Sequence, residues 1–395
     1  MSFRFSLTLL PLAIALFIFL AAHVNLQSAD ERLGEVQHTR RLSDMPFSFN
    51  LPQNHSCKDT LWSALLELIP GVKDVRHFQA PYLDLATGKV IKECPPWSDV
   101  FRHVFTFKWT LALLGDGWLF QRVLLRMNAK YESWDIPFRQ QGQDPETEVL
   151  KFCREWGVKL EPYMWDKTLD NYTTANEFFT RKYASKYAPE NNLANTSIVA
   201  PTDSIVTWYE SAQLLPKLLK NEEWTLDAVG IPNQTEYLPF PAAIMYLAPY
   251  DYHCYHAPIT GRLTKADMLN QDRWSLTVKS YIYKTANILR RNRRAVLIMQ
   301  SEDDPSLSVA MVVVGGVTVD SIRLQPYVKA GARVQKGQLL GCFARGGSTV
   351  ALLFSGGVQP HEPQPANAIK SGLSFRVKAA EALGNVGKRP FAILQ

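Results

Sequence analysis

The spacing of apolar positions changes character twice along this chain of 395 residues. Leu7–Ala22 is an uncharged apolar run behind a start that carries Arg4, and Pro11 interrupts it. A spanning helix takes ~20 apolar residues, so residues 1–29 read instead as a signal peptide or uncleaved signal anchor, with a buried amino-terminal helix as the alternative. Residues 30–57 are polar, lack a period and read as a linker. Over 58–170 the period is mainly helical. Thr60–Ile69 carries apolar residues at helical spacing and stops at Pro70-Gly71. Phe105–Met127 is long and apolar, but Lys108, Asp116, Arg122 and Arg126 break it. It reads as a helix pair turning near Gly115-Asp116-Gly117. An interfacial element presenting Trp109, Trp118 and Phe120 to lipid is the alternative.

From about Asn171 the pattern shifts to short apolar strands set apart by Pro, Gly and Asp. Strands are predicted at Ile198–Pro201, Ala243–Leu247, Ala295–Gln300 and Leu307–Val314. Val334–Phe343 reads as a hairpin turning at Lys336-Gly337, and Val377–Leu383 as weakly helical. The expected fold class is α+β: a β-rich, largely antiparallel core over 171–395 and a mainly helical amino-terminal region.

Composition narrows the function classes. A chain with 46% hydrophobic and 20% charged residues is an ordinary globular one, of one large or two medium domains. The net charge of +6 is not gathered in a tail, so no nucleic-acid partner is implied, while anionic lipid is compatible. The basic run Arg290-Arg291-Asn292-Arg293-Arg294 reads as a solvated turn before a strand, with an anionic-lipid contact as the alternative. Sequons at Asn54, Asn171, Asn195 and Asn233 agree with a secretory route. Cys57, Cys94, Cys153, Cys254 and Cys342 form no Cys-x-x-Cys pair, against a zinc ribbon or a disulfide-dense scaffold. One bridge, such as Cys57–Cys94, is compatible with the spacing.

Three segments carry chemistry. Asp203 lies on a turn after a strand, where a capping aspartate is the plain reading. His253 and His256 sit three apart in the aromatic segment Tyr246–Pro258. A zinc site needs three or four ligands and no second His/Cys cluster supplies them, so no metal is expected. Ser348 follows Gly346-Gly347 directly. Aspartate, histidine and serine can form an orienter–base–nucleophile set. A hydrolase elbow Gly-x-Ser-x-Gly would need a second glycine, and Val350 stands there. The set is better suited to attack on the serine's own preceding peptide bond, at Gly347, where no Cβ shields the carbonyl.

These segments resemble the phosphatidylserine decarboxylase family, which is pyruvoyl-dependent. The likeness spans roughly 171–356. It is carried by Asn176-Glu177-Phe178-Phe179-Thr180-Arg181, by Ala200-Pro201-Thr202-Asp203, by Lys220 with Trp224-Thr225-Leu226, and by Leu247-Ala248-Pro249-Tyr250-Asp251-Tyr252-His253-Cys254-Tyr255-His256. Gly346-Gly347-Ser348-Thr349 matches one branch's cleavage motif, and Ser204 departs from the family's glycine. The resemblance implies that Asp203 and His256 activate Ser348 and that the chain cleaves itself between Gly347 and Ser348 into β and α chains. Ser348 would become a covalent pyruvoyl group that forms a Schiff base with substrate, and His253 would be the proton donor. The implied substrate is phosphatidylserine in a membrane, converted to phosphatidylethanolamine and carbon dioxide. A free amino acid as substrate, a serine hydrolase and an inactive lipid-binding relative are the alternatives. The implied compartment is the secretory or endomembrane system rather than the mitochondrion. A homodimer stays open.

Overall fold

The computed structural model describes residues 82–84, 89–91, 133–163, 168–213, 226–269, 292–315, 322–344, 348–361 and 374–387, all within one compact unit. The apolar runs at 7–22 and 105–127, Cys57, Cys94 and the glycines 346 and 347 lie outside the described residues.

The strands in chain order begin with β1 (Tyr82–Asp84), β2 (Lys89–Ile91), β3 (Ile198–Val199), β4 (Ser204–Tyr209) and β5 (Ala242–Leu247). β6 (Cys254–His256), β7 (Gly261–Leu269), β8 (Arg294–Ser301), β9 (Ser308–Gly315) and β10 (Ile322–Leu324) follow. The last six are β11 (Arg333–Val334), β12 (Leu339–Phe343), β13 (Ser348–Phe354), β14 (Val358–Pro360), β15 (Ser374–Val377) and β16 (Ala382–Val386). The α-helices among the described residues are α1 (Pro145–Trp156), α2 (Ala175–Phe179) and α3 (Leu226–Val229).

Ten strands form one sheet in the order β11-β7-β8-β9-β13-β5-β4-β15-β1-β2, and two three-stranded sheets run β10-β12-β6 and β14-β16-β3. Every pairing is antiparallel except β1 with β15. The expected β-rich, largely antiparallel core is therefore observed. The central strands β9 and β13 are buried along their whole length, which is why they read as unbroken Val, Ala and Leu runs rather than alternating ones. Their side chains join Val206, Met245, Leu297 and Phe375 in a single core. The region before Asn171 contributes α1, with Asp144 capping its first turn, Pro145 at its first position and Gly157 closing it at φ 70°. It also contributes the hairpin β1–β2 at the sheet edge.

Three expectations are corrected. Val334–Phe343 has the expected strands on either side of a turn at Lys336-Gly337, but they do not pair as a hairpin: β11 pairs with β7 in the large sheet, whereas β12 pairs with β10 and β6 in a small one. Val377–Leu383 is not helical, although Ala-Ala-Glu-Ala favours a helix, because pairing of β15 with β4 and of β16 with β3 outweighs local propensity. The four residues between the strands form a turn held by Glu381, which accepts the Lys378 amide at 2.8 Å. Arg294 is not solvated: it is buried at the head of β8, donating from Nε to the Val229 carbonyl at 2.8 Å.

Candidate active site

Two chain crossings build the site. β5 leaves the large sheet through residues 248–253 and becomes β6 of a small sheet, while β12 of that small sheet is followed in the chain by β13 of the large one. The crossings are tied at both ends. Ser348 stands opposite Leu247 in the large sheet, and the Phe343 amide donates to the His253 carbonyl at 2.7 Å in the small one. Cys254 and Cys342 face each other across β6 and β12 and form a disulfide. The Cys57–Cys94 example lies outside the described residues; the Cys254–Cys342 bridge is not legible in spacing, because partners across two strands cannot be read from intervals along one chain.

Ser348 opens β13, flanked by Leu247 on one side and Gly315 on the other. Its Oγ is fully buried and makes no hydrogen bond among the described residues. Buried hydroxyls are normally paired, so an unpaired one calls for an explanation.

His253 is also fully buried, with its ring against Phe179 at 3.9 Å between centroids. Its Nδ1 donates to the Asp251 carbonyl at 2.8 Å, which leaves Nε2 without a proton and, among the described residues, without a partner. Burial pushes its pKa well below the ordinary 6.5, and the Arg181 charge adds to the effect.

His256 donates from Nδ1 to the Gly337 carbonyl at 2.8 Å and accepts at Nε2 from the Tyr252 hydroxyl at 2.9 Å. Gly337 sits at φ 80° in the 335–338 turn, a backbone state open to glycine, and its amide donates to the Ala257 carbonyl at 2.8 Å. Burial lowers the His256 pKa, against the Gly337 hydrogen bond and the charge of Glu190, while Lys182 lowers it further.

Asp203 precedes β4. One carboxylate oxygen accepts the Tyr183 hydroxyl at 2.5 Å, and the other accepts the Ala379 amide at 2.9 Å from the turn between β15 and β16. Burial raises its pKa, against those two hydrogen bonds and the charges of Arg376 and Lys378. The Asp203 turn is fastened to the histidine segment, since the His256 amide donates to the Pro201 carbonyl at 2.8 Å and the Thr202 hydroxyl to the Tyr252 carbonyl at 3.2 Å. Asp203 and His256 are thus brought into one neighbourhood, yet they share no hydrogen bond. The tautomer of His256 is set by Gly337, where sequence reasoning assigned that task to the aspartate. Ser348 makes no hydrogen bond with either histidine.

A supporting layer escaped the sequence reading. Arg181, at the end of the α2 segment, is buried and donates to the carbonyls of Tyr250 at 2.7 Å and Asp251 at 2.9 Å. Its guanidinium lies over the Tyr163 ring at 4.7 Å. Asp251 accepts the Ala248 amide at 2.7 Å and forms an ion pair with Arg376 of β15. The crossing that carries His253 is therefore held from both sides by arginines. The signal was present in Arg181 and Asp251 of the quoted motifs, whose roles only the fold reveals.

Comparison with known proteins agrees with this geometry. The family model described as Phosphatidylserine decarboxylase matches residues 175–385. "Phosphatidylserine decarboxylase proenzyme 2" of Komagataella phaffii is 32% identical over 193 residues, covering 47% of this chain and 19% of that protein. "Phosphatidylserine decarboxylase proenzyme" of Chlamydia trachomatis serovar L2 is 29% identical over 218 residues, covering 55% of this chain and 71% of the relative. The Alcanivorax borkumensis protein of that name is 28% identical over 249 residues, covering 59% and 83% respectively. The chain thus matches under one fifth of the Komagataella relative's length and most of the two bacterial ones.

Proposed function

This chain belongs to the phosphatidylserine decarboxylase family, and from that membership and the geometry at Ser348 we propose that it is a self-processing decarboxylase that converts phosphatidylserine to phosphatidylethanolamine and carbon dioxide. The observation that carries the proposal is the orphaned, buried Ser348 hydroxyl at the head of β13, directly behind two glycines.

In processing, the Ser348 oxygen attacks the Gly347 carbonyl and the peptide C–N bond breaks, so the amide becomes an ester and the hydroxyl proton ends on the freed Ser348 amine. Asp203 and His256 are the groups assigned to activate the hydroxyl. Loss of the Ser348 Cα proton then expels the Gly347 carboxylate, and dehydroalanine at 348 tautomerises and takes up water as ammonia leaves. The products are a β chain ending at Gly347 and an α chain beginning with a pyruvoyl group. The residues fit this group. The oxygen that departs from residue 348 makes no hydrogen bond, so its loss costs the fold no contact. β13 stays in place between β5 and β9 after the cut.

The pyruvoyl carbonyl supplies an electron sink for the decarboxylation, the part pyridoxal phosphate has elsewhere. His253 supplies the proton. Its bare Nε2 takes a proton from the substrate ammonium on binding and returns it to the carbon that carbon dioxide leaves, a transfer worth ~10²–10⁴-fold. Arg181 and the Asp251–Arg376 pair hold the His253 backbone for this task.

A membrane of the secretory or endomembrane system is the proposed place of work. The asparagines of three sequons, Asn171, Asn195 and Asn233, are exposed and support it. Among the described residues no helix is long and apolar enough to cross a membrane. The test is carbon dioxide release by purified protein from phosphatidylserine vesicles, from free serine and from free tryptophan. Release from the vesicles, lost in Ser348→Ala, is expected. Release from soluble amino acids alone would overturn the substrate, and none from any of them would overturn the activity.

A further inference from the structure

Asp203 and His256 are joined by two tyrosines rather than by a bond of their own. The Tyr183 hydroxyl donates to Asp203 at 2.5 Å, and the Tyr252 hydroxyl donates to His256 at 2.9 Å. The two rings pack on each other at 4.6 Å between centroids. Tyr163 also stacks on Tyr183 at 5.0 Å, nearly parallel at 19°. Tyr163 and Tyr252 are buried, and Arg181 covers the Tyr163 ring. A tyrosine ring brings a large rigid surface, and its hydroxyl is a directional donor. Packing alone would not need the Tyr183 and Tyr252 hydroxyls to meet the two groups assigned to processing.

We propose that Tyr183 and Tyr252 are positioning residues for self-processing: a packed phenol pair that fixes the Asp203 carboxylate and the His256 imidazole relative to each other in place of a direct hydrogen bond. This rests on the self-processing reading above. Tyr183 acts through Asp203, where its hydrogen bond to the charged form opposes the rise caused by burial. The other titratable or charged groups facing Asp203 are Tyr163, Tyr252, Arg376 and Lys378. Those facing His256 are Tyr252, Glu190 and Lys182. Tyr252 acts through His256 by occupying Nε2 and holding the ring in the orientation that Gly337 sets from the other side.

Tyr183→Phe removes one donor to a buried carboxylate and keeps the ring stack, so the fold is retained. In pulse–chase synthesis of the full chain, the fragment starting at 348 should appear about tenfold more slowly near neutral pH, the worth of one hydrogen bond to a charged group. Its rate should approach that of wild type as pH rises, because alkali restores the carboxylate that Tyr183 no longer favours. Tyr252→Phe should also slow processing while the chain still folds. A second measurement is independent of processing: in the Ser348→Ala chain, which lacks the hydroxyl that processing needs, the Asp203 carboxyl followed by ¹³C NMR should titrate at higher pH once Tyr183→Phe is added. An unchanged Asp203 titration overturns the proposal, as does slowing that is equal at every pH and accompanied by a lower thermal midpoint. Failure of the underlying reading is seen separately, as a wild-type chain that stays whole while Asp203 still responds to Tyr183.

Discussion

Breaking the Cys254–Cys342 disulfide should cost this fold more than any single surface change. The bridge closes a loop of 88 residues, from β6 through β7, β8, β9, β10 and β11 to β12. In the chain-entropy account a closed loop of that length restricts the unfolded chain by about 4.6 kcal/mol at 25 °C. For a core of this size each kcal/mol moves the midpoint by about 2–4 °C, so reduction should lower it by about 9–18 °C. The effect should reach the site, because the bridge lies between His253 and His256 in sequence and one residue before Phe343, whose amide holds the His253 carbonyl. The assay is differential scanning calorimetry of Ser348→Ala, which removes processing as a variable, with and without dithiothreitol and against Cys342→Ala in the same background. Peptide mapping without reduction should recover a cross-linked 254–342 pair, and Cys153 should map as a free thiol, as it is in the structure. A reduced protein melting within about 2 °C of the oxidised one would refute the reasoning, since it allows less than about 1 kcal/mol for the loop.

Arg376→Met should destabilise the core by about 3 kcal/mol, the lower end for breaking a buried pair, because the Asp251 side chain is 1% exposed while that of Arg376 is 27% exposed. Urea unfolding measures it, and adding Asp251→Asn should recover part of the loss; a cost under about 0.5 kcal/mol would place the pair with surface ion pairs. Stability should also fall as pH drops from about 7.5 to about 5.5. His253 and His256 have folded pKa values below 6.5, so each takes up a proton on unfolding; their contribution is present above 6.5 and lost as pH falls toward the folded values. Asp203 works the other way, since its folded value lies above 3.8 and protonation favours the folded state. His253→Gln should flatten the fall, measured as thermal midpoint against pH.

The strands were legible in the sequence where burial on both faces leaves an apolar run, as in Ala295–Gln300 and Leu307–Val314. They were not legible where partners come from far along the chain. Val334 and Leu339 look like neighbours across a turn, yet their strands belong to different sheets, because β7 and β6 offer the better pairing edges. Asp203, His253, His256 and Ser348 could be singled out by residue type and context. Their connections could not: Tyr183, Gly337, Ala379 and Phe343 meet them from distant parts of the chain, and three of those contacts use backbone groups that carry no residue-type signal.

The central claim is that Ser348 does not persist as serine. Intact-mass measurement of the denatured wild-type protein tests it directly. The account predicts two species divided between Gly347 and Ser348. The fragment 348–395 should lack a free amino terminus, and its mass should be that of a chain beginning with pyruvoyl. It should leave the rest of the protein only on denaturation, because β13 lies between β5 and β9. Ser348→Ala should give one uncleaved species. A wild-type chain of full mass with serine at 348, or cleavage that continues in Ser348→Ala, would contradict it.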